Sequence, residues 1–81
     1  MIGAPDGSRG MYKVLDRESD KVIIYTYAYE KDGAKNPDLF AGFDCSKGLM
    51  YSETVATRQA YGPVSVQPGT YGGVIFGEVC R

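Results

Sequence analysis

The 81-residue sequence predicts an α+β domain of two layers, an antiparallel sheet of about four to five strands with a C-terminal helix packed on one face. Three observations predict this fold. Segments of alternating polar and apolar residues are separated by turn-forming residues, which is typical of short antiparallel strands. Only the segment 68–80 has the spacing of an amphipathic helix. A chain this short also buries only about 60% of its unfolded surface, so a single small core is expected.

The first strand is predicted to follow a loose N-terminal arm, which we assign to residues 1–10. This arm contains three glycines, a proline and small polar residues. Such a composition offers too little apolar surface to offset the entropy of ordering. Residues 11–81 then form the folded domain, in which the alternation of Met11 to Arg17 predicts a short outer strand.

The segment from Lys21 to Lys31 is predicted to be the central strand, because it is almost wholly β-branched or aromatic and holds neither Gly nor Pro. The two-residue period of a strand places Tyr25, Tyr27 and Tyr29 on one face, together with Ile23. The other face carries small and branched side chains, which leave room for a helix: Val22, Ile24, Thr26 and Ala28.

The second half of the chain is predicted to add two longer strands and a short extended piece. After a turn-rich loop at 32–38, the strand 39–46 places its more apolar residues toward the helix: Leu39, Ala41, Phe43 and Cys45. A further strand is predicted over 49–60, with its facing left open. Residues 61–63 end that strand, and 64–66 form the extended piece.

The helix is predicted to begin after Thr70, whose hydroxyl can cap the first free amides. Helical spacing groups its apolar residues into one broad half: Tyr71, Gly72, Ile75, Phe76, Val79 and Cys80. Each glycine costs about 1 kcal/mol against alanine in a helix, so the segment depends on docking to the sheet. Gly73 and Gly77 are expected on the outward side, where close approach of a second helix would form a dimer.

The two cysteines, Cys45 and Cys80, permit two interpretations. A disulfide would indicate an exported protein whose signal sequence has been removed, with Met1 added as a start codon. Two reduced core thiols would instead indicate a cytosolic protein. The residues alone leave both interpretations open.

Composition argues against several classes of function. The formal net charge of −1 gives no field that would attract nucleic acid or an anionic membrane. No apolar run approaches the roughly 20 residues of a transmembrane helix, and the N-terminus does not resemble a signal peptide. The chain has no histidine, which removes imidazole metal sites and His-dependent nucleophiles. We therefore expect no enzyme activity, no cofactor and no metal site.

The tyrosine row is the main indication of function. Tyr25, Tyr27 and Tyr29, joined across strands by Tyr12 and Tyr51, would form an aromatic platform for a protein or glycan ligand. The alternative interpretation, given equal weight, makes these rings a wall of the core or a covered dimer face. A third arrangement is a dimeric small-molecule-binding domain whose pocket, between sheet and helix, is lined by tyrosines. A small hydrolase or redox enzyme is disfavoured because His is absent.

Four short motifs, in this order and spacing, resemble the bacterial surface-adhesin protein E family. They are the strand Lys21-Val22-Ile23-Ile24-Tyr25, then Phe43-Asp44-Cys45, then Pro68-Gly69-Thr70 at the helix start, and the terminal Val79-Cys80. The resemblance extends from about Tyr12 to Cys80. It implies a fold of antiparallel sheet with packed helix, a disulfide between Cys45 and Cys80, and a periplasmic, outer-surface or secreted location. It also implies an adhesin-like binding module, although the matched residues are structural.

Overall fold

The computed structural model describes residues 2–80, so Met1 of the predicted arm and Arg81 of the predicted domain lie outside the described residues. Seven elements follow in chain order within this range: β1 (Ile2–Gly3), β2 (Arg9–Glu18), β3 (Lys21–Tyr29), β4 (Leu39–Asp44), β5 (Leu49–Thr54), β6 (Ala60–Ser65) and α1 (Tyr71–Val79). The six strands form one antiparallel sheet in which each strand pairs with the next in sequence. The antiparallel sheet and the C-terminal helix are confirmed, whereas the number of strands is larger than predicted.

The core lies between β3, β4 and the helix. Alternation along β3 buries Val22 and Ile24, and the cross-strand partners of these residues on β4 are Phe43 and Ala41. From the helix, Ile75 and Val79 complete the cluster and are almost fully shielded from solvent. Because the helix docks on the β-branched side of β3, the predicted division of that strand into two chemically different faces is confirmed.

Both ends of the helix are fixed by side chains. The Thr70 hydroxyl accepts a hydrogen bond from the Gly73 amide at 3.0 Å, as the sequence predicts for an N-cap. At the other end, Arg17 Nη1 donates to the Val79 carbonyl at 2.8 Å. A guanidinium at a helix C-terminus also complements the helix dipole. Among residues 2–80, no helix is long and apolar enough to cross a membrane.

A disulfide joins Cys45 to Cys80, with 5.2 Å between the two Cα atoms. Cys45 follows the last residue of β4, and Cys80 caps the helix through its amide, which donates to Phe76 at 2.9 Å. The bridge therefore ties the C-terminus of the helix to the end of a central strand. A disulfide is compatible with an oxidising, extracytoplasmic location.

The strand predicted over 49–60 is instead a hairpin, which corrects both the strand count and the predicted break at 61–63. β5 ends at Thr54, and β6 begins at Ala60 and runs through Gly62 and Pro63. The connection is closed by the main chain, since the Arg58 amide donates to the Thr54 carbonyl at 2.8 Å. Arg58 adopts a positive φ of 59°, and the Thr54 hydroxyl accepts from the Gln59 amide at 3.1 Å.

Residues 2–10 are folded against the domain in this structure, whereas the composition predicted a loose arm. Ile2 and Gly3 pair with Gly10 and Arg9, which adds a short strand outside the one predicted to be outermost. The Asp6 amide also donates to the Gly69 carbonyl at 3.2 Å, which links this segment to the turn before the helix. Gly10 serves a packing purpose, because a Cβ at this position would lie 2.2 Å from the Tyr27 carbonyl oxygen.

The outward glycine stripe predicted on the helix is interrupted. A Cβ on Gly73 would lie 2.2 Å from the Gln67 carbonyl, so the preceding turn of the same chain already occupies that side. Only Gly77 faces open space. The stripe therefore does not offer two adjacent open glycines to a second helix. Formation of a dimer stays a prediction.

Candidate functional site

The three tyrosines lie on the sheet face opposite the helix, which we call the open face. Their neighbours on β3, Thr26 and Ala28, are buried on the helix side. Tyr25, Tyr27 and Tyr29 are each partly buried: the Tyr25 ring packs against Phe40 of β4, and the Tyr27 and Tyr29 rings pack against each other. The row is therefore outside the core that the helix covers, and its rings are partly shielded from solvent. Its roles as a binding platform or as a covered dimer face stay predictions.

The open face continues across the strands on both sides of β3. Met11 and Lys13 of β2 pair with Tyr27 and Tyr25, and Phe40 of β4 pairs with Tyr25 from the other side. The Tyr25 and Phe40 rings meet edge to face, with 6.1 Å between their centroids. Antiparallel pairs of this kind bring side chains on one face into contact. The row is therefore part of a surface that spans three strands.

Tyr51 extends this surface onto β5 by lying over a glycine. It pairs with Gly42 of β4, where a Cβ would lie 2.2 Å from the Tyr51 Cζ atom. The absence of a Cβ at Gly42 thus gives the Tyr51 ring room to lie against the main chain of β4. Ile23 pairs with Gly42 from the β3 side, so its side chain and the tyrosine ring flank the same gap.

Three cations cover aromatic rings of the open face. Lys35 Nζ lies 5.8 Å from the centroid of the Tyr27 ring. The guanidinium of Arg9 lies 6.0 Å from the centroid of Tyr29, and that of Arg58 lies 5.8 Å from the centroid of Phe40. These distances are within the range of cation–π attraction. The open face is consequently aromatic and basic together.

At one end of the row, the carboxylate of Asp38 forms hydrogen bonds with both Tyr25 and Lys35. The Tyr25 hydroxyl donates to Asp38, and Lys35 Nζ lies 2.7 Å from Asp38 Oδ1. The hydrogen bonds from Lys35 and then Tyr25 hold the pKa of Asp38 below its ordinary value. The same carboxylate raises the pKa of Tyr25, chiefly through their hydrogen bond. At neutral pH the carboxylate is charged and the phenol is protonated.

The tyrosines expected to join the row from other strands divide between the two faces. Tyr51 lies on the open face, as expected. Tyr12 lies on the helix side, where its hydroxyl donates to Glu78 Oε1 at 2.7 Å. The expectation that Tyr12 joins the row is therefore wrong, because the register of β2 pairs it with Thr26, whose side chain also faces the helix.

A separate cavity of about 340 Å³ lies on the helix side, where the short helix leaves part of the sheet uncovered. Its floor includes the small side chains Ala28, Ala41 and Ser52 on three adjacent strands. The aromatic wall is Tyr71 of the helix, whose hydroxyl lies 2.8 Å from Thr26 Oγ1 and donates to the Met11 carbonyl at 3.0 Å. Burial raises the pKa of this tyrosine. A cavity therefore lies between sheet and helix, but the rings of the tyrosine row point away from it, and the predicted dimeric small-molecule-binding domain stays a prediction.

Residues 2–80 bring together no group of three or more His, Cys, Asp or Glu side chains suited to a metal ion. Comparison with protein-family models, with curated proteins and with solved structures gave no match. The resemblance to the surface-adhesin protein E family and the binding role of the tyrosine row therefore stay predictions. The chemistry of the two surfaces is the basis on which a function is argued below.

Several residues of the open face were not identified from the sequence. Phe40 alternates with the core residues of its strand, so strand periodicity contains a signal for its position. Lys35, Asp38 and Arg58 come from loops, where no periodicity predicts the direction of a side chain. Only the register of the sheet and the path of the loops bring them over the rings.

Proposed function

We propose that this protein is a non-catalytic binding module that docks a protein partner on the open face of its sheet. The observation that carries the proposal is a set of large apolar side chains on a face that no other described element covers. The exposed fractions of Met11, Ile23 and Tyr51 are 43%, 37% and 43%. Large apolar patches on the surface of soluble proteins mark sites of interaction with other molecules.

The composition of the open face favours a protein over a glycan. Tyrosine and arginine are enriched in protein interfaces and supply many of their strongest contacts. Sugars bind aromatic side chains mainly through a free ring face, but Arg9, Lys35 and Arg58 already cover three of the rings. Of the cations on this face, Lys35 and Arg58 have carboxylate partners, whereas Arg9 and Lys13 have none among residues 2–80. A protein with acidic groups around an apolar centre would match this pattern.

The disulfide supports an envelope or secreted setting for this module. Structural disulfides persist in oxidising compartments and are rare in the cytosol. An adhesin-like role on the bacterial surface or in the periplasm is consistent with that chemistry and with the family resemblance. The proposal needs no cofactor, because recognition rests on shape, apolar contact and charge.

Arrays of immobilised proteins and glycans test the proposal directly. We expect the wild-type protein to bind at least one acidic protein, and a Tyr27→Ser, Tyr51→Ser double variant to bind it roughly tenfold or more weakly. Val64→Ser is the control, because this side chain is 56% exposed but pairs with Met50 on the helix side of the sheet. Far-UV circular dichroism verifies that both variants are folded.

Two outcomes would contradict the proposal. A protein ligand bound equally well by the double variant would place the docking surface elsewhere. Binding to glycans alone would show that the ligand class is wrong. Sedimentation of the free protein identifies a third case, a dimer that dissociates in the double variant, in which the occupant of the open face is a second copy of this chain.

A further inference from the structure

The cavity on the helix side is built differently from the open face and has no part in the proposed docking. Its floor is continuous with the packed core, since Ile24 is 0% exposed and Ala41 is 5% exposed. Four small residues from different elements create the space: Ala28, Ala41, Ser52 and Gly72. The larger apolar side chains of Leu39, Met50 and Ile75 line the remainder.

The size of the cavity fits a small molecule. Its volume of about 340 Å³ lies near the lower end of the range for ligand pockets. At about 30 Å³ per water molecule in the liquid, this space would hold roughly eleven non-hydrogen atoms. An apolar chain of about eight carbons with a polar head would occupy most of it.

The charge around the cavity selects the head group of such a molecule. Asp6 and Glu30 line it, and the lining contains neither Lys nor Arg. Neither carboxylate has a cation within 4.0 Å among residues 2–80. The Asp6 carboxylate accepts hydrogen bonds from the amide and hydroxyl of Ser8, and Glu30 Oε1 accepts one from Asn36 Nδ2 at 3.1 Å. Both carboxylates are thus oriented by hydrogen bonds, and the side chain of Lys31, which packs against Gly7 next to Asp6, forms no ion pair with either of them.

One polar group inside the cavity is also available to a ligand. The Ser52 hydroxyl lines the space and has no hydrogen-bond partner among the described residues. The hydroxyls of Tyr71 and Thr26, by contrast, are bonded to each other and to the main chain. Pockets of this type combine an apolar interior with a few polar groups that fix orientation.

From these features we propose that the cavity binds a small amphiphilic amine. The apolar part lies over Ala28 and Ala41, and the protonated amine lies at the mouth between Asp6 and Glu30. This site is independent of the open face, because the two lie on opposite sides of the sheet. Failure of either proposal leaves the other intact.

Three probes with the same chain and different heads test the proposal: octylamine, octanol and octanoate. Chemical shifts in ¹⁵N-labelled protein locate the site, and calorimetry gives the affinities. Two weak charge pairs correspond to roughly tenfold in affinity, so octylamine should bind at least that much more tightly than octanoate. The shifted amides should belong to the cavity lining and not to the open face.

Variants separate the apolar and charged parts of the site. Ser52→Leu fills the cavity from a partly exposed position and should abolish binding of all three probes. Asp6→Asn with Glu30→Gln keeps both hydrogen-bond acceptors and should remove the preference for octylamine over octanoate. Tyr51→Ser on the open face is the matched control and should bind octylamine as the wild type does.

The proposal is overturned if octylamine fails to bind at its highest soluble concentration, or if octanoate binds as tightly. It is also overturned if the folded Ser52→Leu variant retains the affinity of the wild type, or if the shifted amides belong to the open face. Ala28→Leu provides a second filled variant from another strand if Ser52→Leu does not fold.

Discussion

Loss of the Cys45–Cys80 bridge should remove a large part of the free energy of unfolding. The two cysteines are 35 residues apart in sequence, and loop-entropy bookkeeping for that separation gives about 4 kcal/mol. A domain of 81 residues has a total stability of about 4–12 kcal/mol at typical values per residue. The bridge therefore accounts for between a third and all of it.

The helix should be the element most affected by loss of the bridge. It spans nine residues, three of them glycine, and isolated helices of this length are not stable in water. Without the bridge, the helix is held to the sheet by apolar packing centred on Ile75 and Val79 and by side-chain hydrogen bonds of Tyr12, Arg17 and Tyr71. Hydrogen exchange of the helix amides should accelerate more than that of β3.

Urea unfolding of a Cys45→Ala, Cys80→Ala variant measures the effect. Unfolding of the wild-type protein with and without a reductant is the control. It measures the effect of the disulfide bond alone, because the sequence and both sulfur atoms are unchanged. A decrease in the free energy of unfolding of less than about 1 kcal/mol in both experiments would refute the loop-entropy argument. Equal exchange rates in helix amides before and after reduction would refute the role assigned to the helix.

Two further changes test single contacts. Tyr71→Phe removes a hydroxyl that bonds Thr26 and the main chain of β2, and should cost about 1–2 kcal/mol in urea unfolding. The Tyr51 hydroxyl has no partner among residues 2–80, so Tyr51→Phe should change the free energy of unfolding little. An equal loss in the two variants would contradict the role assigned to the Tyr71 hydroxyl. Because folding lowers the pKa of Asp38, its charged carboxylate stabilises the folded state at pH values above the ordinary pKa of 3.8. This stabilisation is lost as the pH falls through the lowered pKa. As the pH falls below about 4, Asp38→Asn should therefore lose less stability than the wild type, and parallel profiles would contradict this.

Sequence periodicity predicted the elements in which local and tertiary preferences agree. β3 alternates without interruption and is rich in β-branched and aromatic residues, so its two faces were assigned correctly. The N-cap at Thr70 was also predicted, because a hydroxyl before an apolar run has a direct role in capping. In both cases, a few neighbouring residues contain the whole physical cause.

The elements that were missed depend on contacts distant in sequence. Residues 55–59 contain no Gly, Pro, Asn or Asp, so no turn was predicted. The hairpin forms there because Thr54 and Gln59 bond through both main chain and side chain. Residues 2–10 were assigned to an arm because glycine-rich composition does not distinguish flexibility from close packing. Glycine is needed at position 10 because β3 lies so close to it, and this contact is not visible in the local sequence.

Only part of the candidate site was predictable from the sequence. The face of Tyr25, Tyr27 and Tyr29 follows from the strand period, but the cations over the rings come from loops and from β2. These cations change the interpretation of the row, because covered rings favour protein contact over stacking with a flat ligand. The cavity depends on small residues of three strands that only the register aligns, so no local pattern indicated it.

Both proposed surfaces have a common origin in β3. One side of this strand carries three tyrosines, and the other changes from Val22 and Ile24 to Thr26 and Ala28 along its length. The helix packs over the branched half, close to the disulfide, and the small half forms part of the floor of the cavity. Since the helix forms one wall of the cavity but no part of the open face, loosening the helix should weaken the proposed amine binding and leave the open face intact.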